Sequence, residues 1–119
     1  MLYHAETGIP FNINLPVSLD LFYSDHAQRA ATSDRYGRID LHPSILTVDA
    51  KVIEVETCDR TGNPIKVLIR KPHDDRNDIC LAIALNSSRQ GRFVVKTVWL
   101  NRKDDLHKTL DKKKYKQAN

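Results

Sequence analysis

Ile79 to Leu100, ICLAIALNSSRQGRFVVKTVWL, decides the architecture of this 119-residue chain. Its first seven residues, ICLAIAL, are apolar at both alternating sets of positions, as in a strand buried on both faces. Asn86 to Arg92 is polar and contains Gly91, so it reads as a turn, and Phe93 to Leu100 is apolar again. A strand with no solvated face needs neighbours on both sides and cover above and below. The remaining sequence must supply them.

Upstream, Val52 to Thr57 (VIEVET) alternates, with Ile53, Val55 and Thr57 on one side and Glu54 and Glu56 on the other. Asp59 to Pro64 is a turn, Ile65 to Arg70 (IKVLIR) is the returning strand, and Asp74 to Asp78 is a second polar turn. Four strands joined by short polar loops predict an antiparallel meander. Further upstream, Ser24 is a good N-cap for a helix over Asp25 to Tyr36, with Asp25 at the positive end of the dipole and Gly37 as the stop. Ala27, Ala30 and Ala31 give that helix a small-residue face for close approach to a sheet. Pro43, just inside a start at Asp40 or His42, predicts one or two further helical turns through about Val48. Residues 1–20 read as an irregular N-terminal arm, because Pro10 and Pro16 oppose a helix; Ile9, Phe11, Ile13 and Leu15 alternate along it. The expectation is an α+β fold, with N-terminal helices packed on a four-stranded antiparallel sheet. Residues 21–119 would form that single domain and end in a basic segment.

Charge sharpens the reading of the carboxyl end. Residues 1–100 hold twelve basic and twelve acidic side chains, whereas residues 101–119 hold seven basic and three acidic, the whole net charge of +4. A basic end suits a polyanion such as nucleic acid, though Lys112 to Lys116 alone also read as a solvated tail. Cys58 and Cys80 lack CxxC spacing and read as two reduced thiols. No apolar run reaches the roughly 18 residues of a membrane span, and the amino terminus lacks a signal-peptide pattern. These features predict a cytoplasmic protein with no membrane partner.

Several chemistries lack their residues. The five histidines show no zinc spacing, the acidic turn at Asp74 to Asp78 lacks the glycine and glutamate of a calcium loop, and no phosphate loop or nucleophile elbow is present. No metal and no cofactor is therefore expected. What remains is His with Arg/Lys chemistry, of the kind that cleaves RNA without a metal. One group takes the ribose 2′-hydroxyl proton, another protonates the leaving 5′-oxygen, and cations hold the charge on the phosphorane. His107, among basic residues, suits a proton-transfer role, and a solvated surface His is its other reading. Arg70, closing its strand before Lys71-Pro72, suits the electrostatic role. His26, Arg29 and Ser33 share a helix flank, and Lys96 or Thr97 lies beside the exit of the last strand.

The helix SDHAQRA, the strand ending VLIR, the central ICLAIAL and the closing VVKTVWLN with DLHKTLDKKKY resemble, in order and spacing, the barnase/RelE-like superfamily of metal-independent ribonuclease toxins. The resemblance spans roughly Ser24 to Tyr115. It implies a toxin-like endoribonuclease acting on tRNA or mRNA, with His26, Arg70, Thr97 and His107 as the catalytic set on one sheet face. Arg29, Lys96, Arg102, Lys103, Lys108 and Lys112 would hold the nucleic acid, and a neutralising or host protein would be a further partner. The alternative is a non-catalytic phage or bacterial protein that docks a host protein or nucleic acid through its basic carboxyl-terminal segment.

Overall fold

A computed structural model describes residues 1–105 of the chain. The expected arrangement of helices on a four-stranded antiparallel sheet is not what forms. The described residues fold into one seven-stranded mixed sheet in the order β1-β4-β5-β6-β7-β2-β3, with a single short helix. Its elements are β1 (Leu2–His4), β2 (Ser18–Tyr23), α1 (Asp25–Thr32), β3 (Ser44–Leu46), β4 (Lys51–Thr57), β5 (Pro64–Pro72), β6 (Asn77–Arg89) and β7 (Arg92–Arg102).

The four apolar runs do become neighbouring antiparallel strands, β4 to β7. What changes the fold is what joins them. β1 adds an antiparallel edge against β4, with His4 opposite Glu54. β2 runs parallel to β7, pairing Leu21 with Phe93 and Tyr23 with Val95. β3 then pairs antiparallel with β2 at the segment expected to be helical. Ile45, Thr47 and Val48 supply the physical reason, since β-branched side chains lose rotamer freedom in a helix and fit a pleated surface. The Pro43 carbonyl accepts from the Leu21 amide at 2.8 Å, which draws the segment alongside β2.

The helix ends at Thr32, short of the expected Tyr36. Asp34 is the cause. Its carboxylate accepts from the Tyr36 amide at 3.1 Å and from the Leu100 amide at 3.1 Å, so its side chain serves backbone donors outside a helix. The same contact satisfies β7 beyond the point where β2 stops pairing with it. Ser24 does the corresponding work at the other end of the helix, its amide donating to the Val95 carbonyl at 3.1 Å.

The main core lies on the face that α1 covers. It gathers Leu19 and Leu21 from β2, Ala27 and Ala31 from α1, and Val67, Ile69, Leu81, Ile83, Val95 and Val98 from the central strands. Each such Leu, Ile or Val contributes about 1.5–3 kcal/mol relative to exposure. Ile9, Phe11, Ile13 and Leu15, the alternating residues of the amino-terminal stretch, pack half-buried against it. The opposite face carries a smaller apolar cluster of Ile53, Leu68, Cys80, Ala82 and Trp99. Beside it Glu54 is fully buried, with His4 Nδ1 3.0 Å from its Oε1. Tyr23, the last residue of β2, donates its hydroxyl to the His42 carbonyl at 2.7 Å, and burial pushes its pKa up to about 12. Both cysteines are free thiols. No helix among the described residues is long and apolar enough to cross a membrane.

Candidate nucleic-acid interface

The longest hairpin of the sheet makes one wall of an open groove. β6 and β7 are joined through Gln90 and Gly91, both at positive φ (56° and 73°), the geometry of a two-residue turn that matches strand twist. Pairing in the hairpin is offset between Ala84 and Ser88, so β6 carries extra residues there. Such an insertion bends a strand and re-aims its side chains. Beyond it Asn86 to Arg92 is exposed. Arg89 reaches back over the ring of Phe22 on β2, 5.6 Å from its centroid.

The first turn of α1 makes the other wall. Ser24 Oγ accepts from the Ala27 amide at 3.1 Å and donates to the Lys96 carbonyl at 3.1 Å. One hydroxyl thus caps the helix and fixes it to β7 where that strand bulges, between the pairs Ala82–Thr97 and Ile83–Val95. The bulge leaves Lys96 exposed beside the helix start. The resulting groove, of about 800 Å³, is lined by His26, Lys96, Arg89, Ser87, Ser88 and Phe22, with Asp25 as its only carboxylate among the described residues. An imidazole, an ammonium, a guanidinium, three serine hydroxyls and the positive end of a helix line one space. Groups of these kinds suit phosphate oxygens.

Of the residues expected to act on RNA, the groove therefore unites His26 and Lys96. Arg29 is exposed one turn further along α1. Arg70 lies elsewhere, paired in register with Cys80 and so on the face away from α1. It is buried, and its guanidinium donates to Asp78 Oδ2 at 2.7 Å, to the Asp105 carbonyl at 2.7 Å and to the Arg102 carbonyl at 2.8 Å. Arg70 thus anchors the turn that follows β7. Thr97 shares Arg70's face, opposite Ala82, with its Oγ1 buried and without a hydrogen-bond partner among the described residues. Lys103 donates to Asp78 Oδ1 at 3.0 Å, and Arg102 stacks 4.3 Å over the Tyr36 ring. Burial alone would raise the Asp78 carboxyl, but the hydrogen bonds and charges of Arg70 and Lys103 outweigh it and hold the pKa below the ordinary value. His107, Lys108 and Lys112 lie outside the described residues.

Arg89, Ser87, Ser88 and Phe22 were not among the expected site residues. The available signal was the Arg89-Gln90-Gly91-Arg92 run, two arginines flanking a two-residue turn between apolar strands. Among the described residues no group of three or more His, Cys, Asp or Glu is placed to hold a metal ion. No family model, curated protein or solved structure matches this chain.

Proposed function

We propose that this protein binds RNA, with the sugar–phosphate backbone of a single strand lying in the groove between α1 and the β6–β7 hairpin. The observation that carries the proposal is the shared lining of that groove by Lys96, Arg89 and His26 at the amino end of a helix. Lys96 and Arg89 neutralise phosphates, and the Ser87 and Ser88 hydroxyls serve their remaining oxygens. Phe22 with Arg89 stacked on it supplies a flat surface for a base, as sequence-tolerant single-strand binders use. A fluorescent RNA oligonucleotide titrated with protein should bind in a salt-sensitive way, and Lys96→Ala and Arg89→Ala should each weaken it. Equal affinity of both variants and the unaltered protein would remove the groove from consideration.

A second reading, cleavage of the bound strand, is favoured by the imidazole of His26 and the ammonium of Lys96 in one cavity. His26 would take the proton of the ribose 2′-hydroxyl as O2′ attacks phosphorus. Lys96 would hold the charge on the phosphorane, and the 5′-oxygen would leave with a proton supplied by an acid, giving a 2′,3′-cyclic phosphate. In this reading Arg70 orders the fold. Incubation of RNA with protein in EDTA tests it. Cyclic-phosphate ends that disappear in His26→Ala support cleavage, and intact RNA leaves the binding reading alone.

A further inference from the structure

A second concavity lies at the other end of the sheet, where β5 ends, β6 begins and β7 exits. β1 stops at His4, and the last backbone bond on that side runs from the Ala5 amide to the Ile53 carbonyl at 3.0 Å. Beyond it, among the described residues, the start of β4 has no strand on its outer side, and a cavity of about 470 Å³ opens there. Its lining includes the apolar residues Val52, Ile53 and Pro72. Its charged groups do not balance. The lining holds Lys51, Arg70, Lys71 and Lys103 against Asp49 and Asp78, with Asp78 held by both Arg70 and Lys103 and Asp49 3.4 Å from Lys71. Lys51 adds a further positive charge and makes no ion pair among the described residues.

We propose that this cavity binds a small anion with a flat apolar body, of the nucleoside monophosphate class, separately from the groove at α1. Its volume falls within the roughly 300–1,000 Å³ of small-molecule sites, which pair an apolar lining with a few placed polar groups. The apolar part of the lining takes the base. Lys51 and Lys103 take the phosphate, with Arg70 holding Lys103's partner Asp78 in place. The excess charge selects an anion, and the apolar lining selects against a bare one.

Amide chemical shifts followed during separate titrations with AMP, adenosine and inorganic phosphate test the assignment. AMP should perturb the Val52 and Ile53 amides and saturate at lower concentration than either fragment. Lys51→Ala, which removes an exposed side chain, should weaken AMP about tenfold, the equivalent of one charge-assisted hydrogen bond. Lys96→Ala should leave it unchanged. The proposal is overturned if AMP at millimolar concentration leaves Val52 and Ile53 unmoved or shifts only residues around His26. It also fails if phosphate or adenosine matches AMP, if Lys51→Ala binds like the unaltered protein, or if Lys96→Ala weakens AMP as much.

Discussion

The Ser24 hydroxyl donates to the Lys96 carbonyl at 3.1 Å while it accepts from the Ala27 amide at 3.1 Å. Through that one group the amino end of α1 and the bulge of β7 hold a fixed spacing, so His26 and Lys96 face the same groove. Ser24→Ala should therefore act twice. Loss of the cap should lower stability by about 0.5–2 kcal/mol, read from the urea midpoint. RNA affinity should also fall, although Ser24 is assigned no phosphate contact. Unchanged stability together with unchanged affinity would contradict the coupling.

Arg70 should be a stability residue. Arg70→Met removes the partner of Asp78 and the donors to the Arg102 and Asp105 carbonyls, and should cost about 3–5 kcal/mol, as breaking a buried pair does. Lys103→Ala removes an exposed member of the same group and should cost at most about 1 kcal/mol. Urea denaturation of the two variants checks the order. Equal, small effects would show that Arg70 is not holding the exit of β7.

Acid should weaken the protein in a defined direction. Asp78 is held below the ordinary carboxylate range by Arg70 and Lys103 despite its burial, and Asp74 by hydrogen bonds led by that from the Arg76 amide. A folded-state pKa below the unfolded one means the stabilisation is complete above the unfolded value of about 3.9 and is lost as pH falls through the folded value. Urea midpoints should therefore drop below about pH 4, and Asp78→Asn should flatten that drop. A midpoint that rises on acidification would oppose the assignment.

The two thiols should separate cleanly. Burial pushes the Cys80 thiol up to about 12, whereas a hydrogen bond involving the Thr61 side chain leads the interactions that lower Cys58. Since the thiolate is the reactive form, iodoacetamide should label Cys58 in the native protein and Cys80 only after denaturation. Mass spectrometry of the labelled peptides reads the result directly, and native labelling of Cys80 would contradict its placement in the small apolar cluster.

The apolar runs at Val52, Ile65, Ile79 and Phe93 were legible because period-two burial is a local property, and they became β4 to β7. β2 carried a similar signal, with Leu19 and Leu21 buried on either side of exposed Asp20, but nothing local states that it pairs in parallel with β7. β1 has three residues, too few for any period to show. At Ser44–Leu46 the proline start signal and the β-branched residues pointed to opposite structures, and pairing with β2 decided between them. The candidate site divided for a similar reason. His26 and Lys96 meet because Ser24 bonds across 72 positions of sequence, a contact no spacing encodes. Arg70 and Thr97 fall on the far face because β5 and β6 register Arg70 with Cys80 and β7 is offset at Lys96.

The central claim, a phosphate-binding groove between α1 and the β6–β7 hairpin, is tested most directly by the salt dependence of RNA binding. Anisotropy titrations of one single-stranded oligonucleotide across a salt series would compare the unaltered protein with Lys96→Ala and Arg89→Ala. Each variant should bind more weakly, and each log–log salt slope should shrink by about 0.7, the value for one phosphate contact to a single strand. Slopes and affinities that coincide with those of the unaltered protein would contradict the account.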